Sequence, residues 1–110
     1  MERVREKRGP HYDLALVQAA VAARGVACFT RSALDGLRQM GLTSHEALQV
    51  LATLKRKDCH KSMTTHGNYK VWQDVYHAPT SAGMAYVKVT LLEPMTGRVV
   101  ISFKPLQGPN

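Results

Sequence analysis

A chain of 110 residues with 45% apolar side chains is sized for one domain around one hydrophobic core and is too short for two. Fifteen Lys and Arg against eight Asp and Glu leave a formal charge of +7, a balance that favours an anionic partner such as nucleic acid, an acidic protein or a membrane surface. Four of those cations belong to the N-terminal run "MERVREKRG", so part of the excess reads as a basic tail.

No apolar signal-peptide core follows Met1, and no stretch approaches twenty apolar residues. The expected location is therefore the cytoplasm, with no membrane contact. Cys28 and Cys59 lie far apart, and the histidines at 11, 45, 60, 66 and 77 never take the spacing of a zinc site. Two reduced, buried thiols are expected, with no metal and no cofactor.

In chain order, a helix is predicted after Pro10, with Leu14, Val17 and Val21 on one face and Gly25 as its stop. "VACFT" (26–30) reads as a short extended segment. Thr30 caps a second helix that carries Ala33, Leu34 and Leu37 and ends at Gly41. Thr43 and Glu46 have the spacing of a capping box, opening a third helix with Leu48, Leu51 and Leu54. "KRK" (55–57) reads as its basic C-terminus, which suits the negative end of the helix dipole, and equally as an RNA contact. From Cys59 the period becomes two, which predicts strands at 59–65, 69–78, 83–92 and 98–104, with turns at 66–68, 79–82 and 93–97. Residues 1–6 and 105–110 read as flexible ends of a single domain.

Helices followed by hairpin-connected strands predict an α+β domain, with N-terminal helices packed on one face of a twisted, mainly antiparallel sheet. Alternation buries Ala85, Val87, Val89, Leu91, Val99, Ile101 and Phe103 against those helices. It leaves Lys61, Tyr86, Lys88, Ser102 and Lys104 on the opposite face. Gln73 is ambiguous, because its side of the strand also carries Val71 and Val75. In a regular strand His60 faces away from Lys61. Trp72, Asp74, Tyr76, Tyr12 and Phe29 read as structural, and His60 and His77 as surface histidines.

A face of lysines, amides and hydroxyls can hold a phosphodiester, and aromatic rings add stacking for unpaired bases. Similar groups can also cut RNA. The ribose 2′-hydroxyl attacks phosphorus and expels the 5′-oxygen, a base takes one proton, an acid returns another, and cations stabilise the oxyanion. Lysine and tyrosine ordinarily titrate near 10, too high for a base at neutral pH without a neighbouring cation. The pattern alone leaves three readings open: a ribonuclease, a non-catalytic nucleic-acid binder, or an interaction protein with an acidic partner.

"KRGPH" (7–11), "TRSAL" (30–34), "KSMTT" (61–65), "WQDVYH" (72–77), "AYVK" (85–88) and "VVISFK" (99–104) follow one another in a specific order. In this the chain resembles the motility quorum-sensing regulator (MqsR) toxins from about Lys7 to Lys104. The resemblance implies a RelE-like fold and a type II toxin that cuts messenger RNA, usually at GCU, without metal. It implies catalytic positions at Lys61, Gln73 and Tyr86, and substrate contacts at Met63, Lys104 and His11. Lys88, on the same face by alternation, joins the expected substrate contacts. Tyr86 or Lys61 would move protons, Lys61 and Lys104 would neutralise phosphate, and Gln73 would orient the ribose or phosphate. The implied partner is an MqsA-like antitoxin with a zinc-binding half and a helix-turn-helix half, through which alone DNA would be contacted. The longer turn "EPMTGR" (93–98), the tail "PLQGPN" and "HGN" (66–68) depart from the family pattern.

Overall fold

The computed structural model describes residues 5–65, 67, 70–93 and 97–107. Strand β1 (Glu6–Lys7) precedes three helices, α1 (Leu14–Arg24), α2 (Arg31–Met40) and α3 (Ser44–Thr53), and four strands follow: β2 (Cys59–Thr64), β3 (Trp72–Thr80), β4 (Gly83–Glu93) and β5 (Arg98–Pro105). Among the described residues the strands form one antiparallel sheet in the order β1-β2-β3-β4-β5. This is the α+β arrangement that the sequence pattern predicts.

Helix starts follow the caps. Thr30 accepts from Ala33 N, and Thr43 and Glu46 complete their capping box. Sequence pattern opens α1 after Pro10, but the helix begins at Leu14 with Asp13 as its cap. The backbone amides of His11 and Tyr12 are used elsewhere, each donating to the Asp74 carboxylate at 2.9 Å. Two further expectations are corrected. Residues 25–28 form a 3₁₀ turn rather than an extended segment, and only Phe29 bridges to Ile101, beside which Thr30 N donates to Ile101 O. Helix α3 stops at Thr53 before "KRK": Leu54 turns into the core, and a second 3₁₀ turn follows over Arg56–Asp58.

The helices cover one face of the sheet. Val17, Val21, Leu37 and Leu51 are buried against Val87, Val89, Ile101 and Phe103, with Leu14, Leu34 and Leu48 partly buried around them. Helix α2 comes closest, because Gly36 has no side chain to hold it off the β5 backbone at Phe103. The expected turn at 79–82 is tighter than predicted, since Pro79 and Thr80 still pair with Met84 and Gly83. The turns expected at 66–68 and 93–97 fall largely outside the described residues, as does His66. Cys28 is buried and free, and Cys59 is free but only half-buried. Among the described residues, no helix is long and apolar enough to cross a membrane.

Candidate functional site

The uncovered face of the sheet is ordered by cross-strand register, because residues paired across antiparallel strands share a side. Three rows result. Glu6 pairs with Met63 and Met63 with Gln73. Lys61 pairs with Val75, Val75 with Lys88, and Lys88 with Ser102. His77 pairs with Tyr86 and Tyr86 with Lys104. Adjacent rows lie two residues apart along a strand, about 7 Å.

Gln73, ambiguous from the sequence, thus belongs to the open face, directly across from Met63. Val75 explains the ambiguity. It is fully buried although it faces away from the helices, flanked on both sides by half-buried lysines whose aliphatic stems can cover it while their charged ends reach solvent. One buried valine thereby seats two cations side by side.

The charges have defined neighbours. Lys61 Nζ donates to Glu6 Oε1 at 2.9 Å. Lys104 Nζ stands 5.0 Å from the centre of the Tyr86 ring, a cation–π approach. Beside this pair lies a cleft of about 350 Å³ lined by Gln39, Tyr86, Lys104, Pro105, Leu106 and Gln107. It offers two amides and an aromatic edge next to a cation.

Register is regular along β2 except for a shift between Cys59 and Lys61. Such a bulge re-aims a side chain, and here His60 lies against His77, their rings 4.2 Å apart and 15° from parallel. The reading that turns His60 away from Lys61 assumes a regular strand, and the bulge corrects it. Tyr86 lies 6.2 Å from His77 on the other strand. Burial, and then the neighbouring His60, lower the His77 pKa below the usual histidine value.

A profile of the motility quorum-sensing regulator family, described as the toxin of MqsA, matches residues 9–105. The chain belongs to this family. The mRNA interferase toxin MqsR of Escherichia coli (strain K12) is 37% identical to it over 99 residues, which span 90% of this chain and 97% of that relative. The matched family segment contains the whole open face except Glu6.

Of the residues expected at the site, Lys61, Met63, Gln73, Tyr86, Lys88 and Lys104 share this face. His11 does not join them. Its ring stacks on Trp72 at 4.8 Å and its Nδ1 meets Lys7 Nζ at 2.9 Å. Alternation along β3 puts Trp72 on the Asp74 side, which faces the helices. Burial, then Lys7, lower the His11 pKa. Glu6 and the stacked histidines are the additions that pattern alone missed. His77 was legible in principle, because it lies four residues beyond Gln73 and so shares its side. His60 was not, because a bulge leaves no mark on the alternation. Among the described residues, no three His, Cys, Asp or Glu side chains gather where they could hold a metal ion.

Proposed function

We propose that this protein is an mRNA interferase, an endoribonuclease toxin of a type II toxin–antitoxin pair, and that its site is the open sheet face. The observation that carries the reading is the gathering of Lys61, Gln73, Tyr86, Lys88 and Lys104 on one face of a chain from this toxin family. Lysines flanking Val75 supply the positive charge that a pentavalent phosphorane needs, so the reaction calls for no metal. Lys104 holds a flanking phosphate, and Met63 gives an apolar wall to a base. Gln73 orients the ribose, with two donors and one acceptor on its amide.

In the reaction the 2′-oxygen loses its proton and bonds to phosphorus. The bond from phosphorus to the 5′-oxygen breaks, and that oxygen gains a proton. The products are a 2′,3′-cyclic phosphate and a 5′-hydroxyl end. GCU-like sequences are the proposed targets. An MqsA-like antitoxin is the proposed partner, and DNA is reached only through it.

The test is cleavage of a defined RNA with several GCU sites in excess EDTA, by the wild type and by Lys61→Ala. Cuts at those sites with cyclic phosphate ends, lost in the variant, support the reading. Salt-sensitive binding of RNA that stays intact with the folded wild type instead makes the chain a binding module.

A further inference from the structure

Cutting at neutral pH needs a group that can accept the 2′-hydroxyl proton. Lysine and tyrosine ordinarily titrate near 10 and are donors at neutral pH, whereas histidine titrates near 6.5 and offers a free ring nitrogen. Among the described residues of the open face, the side chains basic enough to take that proton are Glu6 and the two histidines. Glu6 is engaged by Lys61 and lies in the Met63–Gln73 row on β1, two strands from Val75. His77 lies in the Tyr86–Lys104 row, one strand from Tyr86 and still partly exposed.

We infer that His77, stacked on His60, is the general base of the reaction and that Tyr86 is its acid. The inference rests on the ribonuclease reading and deepens it. His77 takes the proton from the 2′-oxygen as that oxygen bonds to phosphorus. As the bond to the 5′-oxygen breaks, the Tyr86 hydroxyl protonates the departing oxygen, and a proton then passes back from His77 to the phenolate. The groups facing His77 explain how it stays ready to accept. His60 and Lys61 stand on β2, Tyr86 and Lys88 on β4, and Lys104 on β5 behind Tyr86. None of them is a carboxylate that would favour a charged ring, and burial, then His60, disfavours a positive charge on His77. The stack with His60 also fixes the ring plane, which is a positioning role.

The experiment is a pH–rate profile for cleavage of the defined GCU-containing RNA by the wild type and by His77→Ala, His60→Phe, Glu6→Gln and Lys61→Ala. His77→Ala is expected to lose a hundredfold or more in kcat, with little change in KM, and to regain part of it when imidazole is added to the buffer. His60→Phe keeps a ring in the stack without its charge, so it should retain cleavage with its acid limb moved to higher pH. Near-wild-type cleavage by folded His77→Ala, with the acid limb in place, overturns the assignment. So does a His60→Phe profile that superimposes on the wild type, a readout that stands even when His77→Ala does not fold. Loss of the acid limb in Glu6→Gln moves the base to Glu6. If Lys61→Ala loses cleavage while the histidine variants keep theirs, only this inference fails. If the wild type does not cut, the ribonuclease reading fails with it.

Discussion

Glu6 Oε1 lies 2.9 Å from Lys61 Nζ, so the edge strand sets a carboxylate against a cation placed for phosphate. The contact exists because β1 pairs Glu6 with Met63, putting Glu6 diagonal to Lys61 on the same face. Both side chains are substantially exposed, and exposed pairs of this kind contribute at most about 1 kcal/mol. An incoming phosphate can therefore displace the carboxylate. Glu6→Gln should leave the unfolding free energy within about 1 kcal/mol of wild type and tighten binding of an uncleavable 2′-deoxy substrate. The gain should shrink as salt rises, because it is electrostatic. Titrations at two salt concentrations check this, and weaker binding by Glu6→Gln would contradict it.

Much of the layout was legible in the residues because one face of the sheet is buried and one is not. Where that contrast holds, as in β4 and β5, alternation put Ala85, Val87, Val89, Leu91, Val99, Ile101 and Phe103 on one side and Tyr86, Lys88, Ser102 and Lys104 on the other, as the register pairs them. Two kinds of feature escaped it. Strand β1 has two residues, both exposed, and a pair of residues carries no period. Val75 and His60 break the binary code for physical reasons: lysine stems flank one, and a bulge turns the other. Asp74 was readable as structural but not its partners: Ser62 depends on the strand register, and the His11 and Tyr12 amides come from about sixty positions earlier in the chain.

Those partners give the next prediction. Asp74 is buried and accepts from His11 N, Tyr12 N and Ser62 Oγ, the last at 2.6 Å. It ties the segment entering α1 to the centre of the sheet. Asp74→Ala removes the acceptor of the part-buried His11 and Tyr12 amides and leaves the buried Ser62 hydroxyl only the long contact to Gln73 O, and a loss of about 2–4 kcal/mol is expected. Asp74→Asn keeps an acceptor oxygen and should cost less. Urea unfolding of both variants measures the difference, and equal losses would mean that the donors find water instead.

Gly36 lies mid-helix in α2, where alanine ordinarily gains about 1 kcal/mol from helix propensity. The opposite sign is expected here. A methyl group at this position would collide with the Phe103 carbonyl oxygen and press on Lys104 Cα, and both belong to a paired strand that cannot step aside. Gly36→Ala should therefore destabilise the fold by about 1–3 kcal/mol, the usual range for overpacking. Because β5 carries Lys104 at the end of the Tyr86 row, cleavage should fall as well. A variant as stable as wild type would show that α2 can lift from β5 without loss.

Acid should weaken the fold before the carboxylates begin to titrate. His77 and His11 both have folded pKa values below the ordinary imidazole value: burial is the larger cause for each, followed by His60 for the first and Lys7 for the second. A base whose pKa is lower when folded binds fewer protons in the native state than in the unfolded one. Stability then rises with pH across the window from the folded value up to about 6.5, and is lost as pH falls through it. Glu46 has its pKa lowered by its capping hydrogen bonds to Thr43, so its contribution is lost from the ordinary carboxylate value downward and does not overlap. Thermal melting between about pH 7.5 and 5.5 should show a falling midpoint. The slope should flatten in His77→Gln and flatten further when His11→Gln is added. A midpoint that holds steady across this window would mean that the two rings accept protons as readily in the fold as out of it.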